Sequence, residues 1–208
     1  MPYVTEKPDA TVILAAGAGT RLHGQGKALI RVAGETLAAR ALRCAREAGT
    51  SPLLVLGHRA GEVRAALSQH PSWTDSEVVD CPDWEQGLSV SFRAGVRAAA
   101  ERGAGRVAVV LVDQPGISST ALRRVLEAQA PGRIARGVLG GTPTHPVVFD
   151  LDRAGQAAAL AVGDEGARAY LRAHPGLVDA IDISEVADAA DIDTPQDLLA
   201  WSTIGSQD

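Results

Sequence analysis

Residues 11–30 read TVILAAGAGTRLHGQGKALI, an apolar run that empties into a glycine-rich loop carrying one arginine and one lysine. Of the 20 Lys and Arg residues in the chain only Lys7 and Lys27 are lysine, so a composition that otherwise uses Arg places a Lys inside this loop. An apolar strand running straight into Gly17, Gly19, Gly24 and Gly26 matches the way an α/β sheet presents ligands at the carboxyl ends of its strands. Glycine lets the main chain turn sharply and bring N–H donors against phosphate oxygens. Arg21 can fork onto such oxygens, whereas Lys27 offers a compact charge that follows them. Ala15 and Ala16 keep the floor small, so a base or ribose could lie close to the chain. The loop reads as a phosphate cradle; a plain flexible turn is the bland reading of the same glycines.

Two familiar phosphate loops do not fit. A dinucleotide fingerprint needs G-x-G-x-x-G with an acidic residue at the end of the next strand. Here Leu22 follows Gly17-Ala18-Gly19-Thr20-Arg21, and the second apolar run ends in Gly57-His58. A Walker loop needs G-x-x-x-x-G-K-[ST]; counting back from Gly26-Lys27 reaches Arg21, and Ala28 stands where the hydroxyl should be.

Working outward, short apolar runs alternate with helical patterns, which predicts a three-layer α/β/α fold with a mostly parallel, Rossmann-like sheet. Strands are expected at 11–15, 52–56, 77–79, 106–112, 133–138, 146–149 and 178–183. Helices are expected at 36–48, 61–68, 89–102, 120–130, 165–174 and 195–201. In the first of these Leu37, Ala41, Leu42 and Ala45 share one stripe, and Gly49 suits the cap that ends it. Ser118 or Ser119 suits an N-cap, and Pro195 a first helical turn. With 208 residues, no repeats and no linker-like composition break, one domain over 1–208 is expected, with flexible tails at 1–8 and 204–208.

A net charge of −5 with scattered Arg argues against nucleic acid as a partner. A local basic pocket for small anions is compatible with it. Cys44 and Cys81 make neither a disulfide framework nor a metal spacing. The polar start MPYVTEKPDA and the lack of an 18-residue apolar run predict a cytoplasmic protein with no membrane partner.

Acidic side chains fall where such a sheet would deliver them. Asp113 follows the apolar run 107–112 and precedes Pro115, which breaks the strand. Asp191 and Asp193 flank Ile192 and point one way, just before Thr194-Pro195 opens a helix. Turn capping by Asp113, and helix capping by Asp193 or Thr194, are the structural alternatives. A functional reading joins the carboxylates around magnesium, a hard ion that takes one or two carboxylates plus substrate phosphates. No Ser-His-Asp set is evident, since GLSVS is not G-x-S-x-G. The five histidines show no metal spacing; His58 is a minor candidate at a strand end, and His70 and His174 read as helix-end residues.

The segment LAAGAGTRLHGQGKAL resembles the L-A-[AG]-G-x-x-x-R-[ML]-G-x-x-x-K signature of the MobA-like nucleotidyltransferase family, which has the GT-A-like version of this fold. It is most similar to the branch that makes cytidine dinucleotides of the molybdenum cofactor. Four more stretches follow in family order: CPDWEQGLSVSFRAGV, VVLVDQPGI, PTHPVVF and ADIDTPQDL. Cys81, His23 and Thr144 depart from the usual Asn, Gly and Gly, and Thr144 lies in the segment expected to face the acceptor.

The resemblance implies nucleotide contacts from Leu14, Ala15, Ala16, Gly17, Gly19, Thr20, Arg21, Lys27, Gly87 and Ser91. An exposed helix N-cap is the structural alternative for Gly87 and Ser91. Catalytic roles are implied for Arg21, Lys27 and Asp113, a divalent ion (magnesium, or manganese in its place) on Asp113 and Asp191, and acceptor contact from His145. Asp193 becomes a supporting residue or a cap, and the role of VGDEGARAYL stays open. Ala15-Ala16-Gly17 leans towards CTP in this family, where Ala-Gly-Gly leans towards GTP. The expected reaction transfers CMP from CTP to the phosphate of a molybdopterin-type cofactor and releases pyrophosphate, with a molybdoenzyme as recipient of the product. GTP, a sugar-phosphate acceptor, or a silent nucleotide-binding partner of a molybdoenzyme are the alternatives. A phosphate acceptor is already anionic near neutral pH, so positioning and charge neutralisation can carry the catalysis without a general base.

Overall fold

The strand that opens into the glycine loop is β1 (Asp9–Leu14), third in a seven-stranded sheet of order β5-β4-β1-β6-β8-β7-β9. The structure, a computed structural model, describes residues 7–19, 24–70, 73–74, 77–188 and 191–204. Thr20, Arg21 and His23 of the loop lie outside the described residues. A two-stranded ribbon of β2 (Arg31–Val32) and β3 (Glu35–Thr36) follows the loop. In the main sheet β1 lies parallel to β4 (Ser51–Leu56) and β6 (Arg106–Leu111), and β5 (Val78–Asp80) pairs parallel with β4. β7 (Ile134–Leu139) runs antiparallel to β8 (Thr142–Asp150) and parallel to β9 (Val178–Asp182), while β8 runs antiparallel to β6.

The sheet is therefore mostly parallel, as expected, with β8 alone reversed. That reversal matters for the site. The N-terminal half of β8, with Thr144 and His145, enters at the same edge where β1, β4 and β6 end.

Helices cover both faces. On one side lie α1 (Leu37–Glu47), α2 (Ala60–Leu67), α4 (Ser119–Ala128) and α7 (Pro195–Ile204). On the other lie α3 (Leu88–Glu101), α5 (Leu151–Leu160) and α6 (Arg168–Ala173). Side chains along β1 alternate between the two cores: Ala10, Val12 and Leu14 join the one under α3, and Ile13 the one under α1 and α4. Strands covered on both faces read as unbroken apolar runs, which is why these segments were legible as strands. Among the described residues no helix is long and apolar enough to cross a membrane.

Local chemistry sets the helix ends. Thr36, expected inside α1, is its N-cap, with its hydroxyl accepting from Ala39 N at 3.2 Å. Ser118 rather than Ser119 caps α4, accepting from Ala121 N at 3.0 Å. Two features were not expected, the β2–β3 ribbon and α5. The α5 sequence LDRAGQAAAL buries only Ala154, Ala157 and Ala158, so its stripe is one of methyl groups, and Gly155 weakens its helical propensity further. The helix expected over 165–174 is shorter, because residues 164–167 form turns before α6 begins.

Gly95 lets α3 lie directly on β1: a Cβ there would meet Val12 Cγ1 at 2.3 Å. Gly95→Ala should therefore destabilise the fold by about 1–3 kcal/mol through overpacking, despite alanine's better helix propensity. A denaturant midpoint equal to or above that of the parent would contradict this packing.

Candidate active site

β1 ends at Leu14, yet the chain keeps sheet-like bonds for two more residues: Ala15 N donates to Val55 O (3.1 Å) and Ala16 O accepts from His58 N (2.9 Å). The glycine loop then folds back on itself, with Gly24 N donating to Gly19 O and Gly26 N to Ala18 O, both at 3.3 Å. Among the described residues the N–H groups of Gly17, Ala18 and Gly19 meet no backbone carbonyl. His58 proves to be a clamp on this loop. Its Nε2 donates to Gly24 O at 3.1 Å, and its ring meets Trp84 edge-on at 5.2 Å. Arg59 Nη1 adds a bond to Gln25 O at 2.7 Å.

Lys27 leaves the loop as the first residue of a short 3-10 turn and reaches across the sheet edge. Its Nζ donates to Asp113 Oδ2 at 2.5 Å and also to Asp193 Oδ1. Burial alone would lower the ammonium pKa, but the two carboxylates outweigh it and hold the group above its ordinary value. Asp193 is free to do this because Thr194 and Asp197 cap α7 between them: Asp197 Oδ2 accepts from Thr194 N at 2.7 Å, and Thr194 Oγ1 accepts from Asp197 N at 3.3 Å. Of the two cap candidates it is Thr194, not Asp193.

Asp191 is brought to the same edge but turns the other way. Ile192 N donates to Asp113 O at 2.9 Å, joining the two segments. Asp191 Oδ1 accepts from Gln114 Nε2 at 2.8 Å. Burial first, with Asp113 and Asp193 adding to it, raises the Asp191 carboxyl pKa against the opposing Gln114 bond and Lys27 charge. Gln114 was passed over in the sequence. Its amide also accepts from His145 Nδ1 at 3.1 Å, so it ties Asp191 to His145. That bond leaves the proton on Nδ1 and the Nε2 lone pair free. Burial, then the charges of Arg136 and Arg168, push His145 down to about 4.

These residues line two cavities that share Leu14, Leu88 and Leu111 as a wall. The first, about 600 Å³, is bordered by 14–19, Lys27, Trp84, Gly87, Ser91, Asp113 and Asp193. The second, about 480 Å³, is bordered by Gln114, Thr144, His145, Arg136, Arg168 and Asp191. The first thus collects Leu14, Ala15, Ala16, Gly17, Gly19, Lys27, Gly87, Ser91 and Asp113 from the expected set, and the second collects His145 and Asp191. Ser91 is not an exposed N-cap: it is 3% exposed, inside α3, with its hydroxyl 3.7 Å from Cys81 Sγ.

The segment 163–168 forms the rim between the cavities. Asp164 Oδ1 accepts from Leu88 N (3.2 Å) and Gly163 O from Ser89 N (2.9 Å), so it satisfies the first amides of α3. Gly87 has φ 105°, and a Cβ there would meet Asp164 Oδ1 at 2.7 Å, so only glycine allows this approach.

One buried atom is left over. Asp113 Oδ1 has no hydrogen-bond partner among the described residues, a state that disfavours an isolated carboxylate and suits a cation. No three His, Cys, Asp or Glu groups among the described residues converge as a metal cage, so an ion here would draw its remaining ligands from substrate.

The depressed His145 pKa has a testable consequence. The unfolded chain takes up a proton near pH 6.5 and the folded one only near pH 4, so stability contributed by neutral His145 is full above pH 6.5 and drains as pH falls to 4. His145→Gln should flatten that part of the stability–pH curve; parallel curves for the two proteins would refute the assignment.

Comparison with known proteins agrees with this geometry. Residues 11–178 match the MobA-like NTP transferase domain. Nicotine blue oxidoreductase of Paenarthrobacter nicotinovorans is 36% identical over 203 residues, covering 93% of this chain and 97% of that protein. A probable molybdenum cofactor guanylyltransferase of Opitutus terrae is 36% identical over 110 residues, 53% of this chain and 50% of that one. Rv0371C of Mycobacterium tuberculosis H37Rv, solved in complex with manganese, superposes with a TM-score of 0.71 at 28% identity, covering 94% of this chain and 98% of that one. The chain belongs to the MobA-like NTP transferase family and is a nucleotidyltransferase.

Proposed function

We propose that this enzyme transfers CMP from CTP to the phosphate of a molybdopterin-type cofactor. An acceptor phosphate oxygen forms a bond to the α-phosphorus of CTP, the bond from that phosphorus to the bridging oxygen of the β-phosphate breaks, and its electron pair leaves on pyrophosphate. The observation that carries the reading is the pair of cavities meeting at one carboxylate-bearing edge, one over the glycine loop and one beside His145.

In the first cavity the free amides of Gly17, Ala18 and Gly19 would receive phosphate oxygens, with Lys27 moving from its two carboxylates to the charge that develops on pyrophosphate. Arg21 and Thr20 belong to the same loop by the family resemblance. The buried methyls of Ala15 and Ala16 would floor the base, leaving room for a pyrimidine. Gly87 and Ser91 border the ribose side, and Trp84 adds a ring. Asp113 and Asp191 would hold magnesium, or manganese as in the Rv0371C complex; the partnerless Asp113 Oδ1 supports that fit. Bound there, the ion would neutralise phosphate charge and orient the α-phosphate. His145 would hydrogen-bond the acceptor through its free Nε2. The guanylyltransferase relative supports a molybdenum-cofactor acceptor, and the Ala15-Ala16-Gly17 sequence favours CTP over GTP.

Two experiments test this. With molybdopterin and magnesium, the protein should release pyrophosphate fastest from CTP, and Asp113→Asn should lower kcat by roughly 100-fold or more without unfolding. Pyrophosphate release indifferent to Asp113 would remove the catalyst proposed here. Ala16→Gly should shift the ratio of kcat/KM from CTP towards GTP; an unchanged ratio would mean the base is read elsewhere.

A further inference from the structure

The second cavity carries charge that the nucleotide half does not use. Arg136, on β7, and Arg168, at the start of α6, both line it. Arginines elsewhere in the chain are mostly neutralised: Arg46 by Glu77, Arg106 by Asp9, Arg133 by Asp179, Arg64 by Asp80. Among the described residues neither Arg136 nor Arg168 enters an ion pair. Arg136 makes one long bond, Nε to Thr144 O at 3.3 Å, and both of its terminal nitrogens are left over. Three acids line the same cavity, Glu165, Asp188 and Asp191, and none of them pairs with either arginine; Glu165 is held by Arg172 at 2.6 Å and Asp191 by Gln114 at 2.8 Å. The two guanidinium groups are close enough that burial and the Arg168 charge lower the pKa of Arg136. Two like charges that face one cavity, neither paired with a carboxylate, make it attractive to an anion.

The rest of the lining says what the anion is attached to. Leu88, Leu111, Leu139 and Pro143 offer apolar walls, and 480 Å³ is the size of a small-molecule site. On the floor, neutral His145 presents the Nε2 lone pair, an acceptor rather than a donor, because its Nδ1 proton is committed to Gln114. Arginine forks match phosphate oxygens in pairs.

We infer that Arg136 and Arg168 form a phosphate subsite for the second substrate, a phosphomonoester whose remainder lies against the apolar walls and donates a hydrogen bond to His145. This rests on the nucleotidyl-transfer reading for the name of that substrate, but the anion subsite itself does not. Segment 163–168 thereby gains a role: one turn braces the start of α3 through Asp164 and delivers Arg168 to the acceptor.

The test fills the first cavity with magnesium and a non-hydrolysable CTP analogue, then titrates inorganic phosphate by calorimetry. The parent should bind one phosphate. Arg136→Gln/Arg168→Gln should weaken it at least tenfold while the analogue binds as before, and Arg136→Lys/Arg168→Lys should restore part of it. Should the double variant unfold, Arg168→Gln alone, at an exposed position, carries the same comparison. In turnover the variants should raise KM for the acceptor at least tenfold, with KM for CTP unchanged. Phosphate affinity that ignores the substitutions, or falls together with analogue affinity, overturns the subsite. Loss of phosphate binding in the variants of a protein that does not act on molybdopterin supports the subsite and removes that acceptor.

Discussion

Lys27 bridging Asp113 and Asp193 is the contact on which the site depends. It ties together three segments far apart in the chain: the glycine loop after β1, the end of β6 and the turn before α7. Each of these segments is loop, and the shared charge joins the glycine loop to the other two, which Ile192 N and Asp113 O already link to each other. A half-buried ammonium between two carboxylates is also poised for exchange, because an incoming triphosphate brings more negative charge than the two side chains it would draw Lys27 away from.

That contact stands on a scaffold that is mostly a sheet-packing problem. β1 is buried on both faces and clamped between β4 and β6, so Leu14 can move little and the loop starts from a fixed point. Thr194 and Asp197 take over the capping of α7 and release Asp193 for Lys27. The reversal of β8 brings Thr144 and His145 to the ligand edge, where a wholly parallel sheet would have carried them to the opposite one. Gln114 then braces the second cavity, holding Asp191 with its amide nitrogen and His145 with its amide oxygen. A substitution at Gln114 would disturb both of those side chains at once.

Legibility varied with how local the cause was. The strands 52–56 and 106–112 could be read because burial on two faces leaves an unbroken apolar run, and Asp113 could be read because it closes one. Capping chemistry was equally local: Ser118 and Thr194 behave as their residue types predict. α5 was missed because alanine methyls carry little apolar contrast, so a buried stripe of them does not stand out. Gln114 and Trp84 were missed for a different reason. An amide and an indole acquire meaning only from what the fold sets beside them, and neither Asp191 nor His145 is near Gln114 in the sequence.

By itself, then, the sequence determined the three-layer α/β scaffold, the phosphate-friendly loop at the end of its first strand and the family to which the chain belongs, since all three follow from periodicity, glycine and the order of short motifs. Only the tertiary structure decided that Asp193 rather than Asp191 shares Lys27, that His145 is kept neutral by burial and by the charges of Arg136 and Arg168, and that those two arginines face one cavity without pairing with its carboxylates. The physical reason is one of range. Hydrogen bonding to the adjacent turn and the burial of an apolar run act over a few residues, whereas charge pairing and desolvation depend on distances in space that no local pattern encodes.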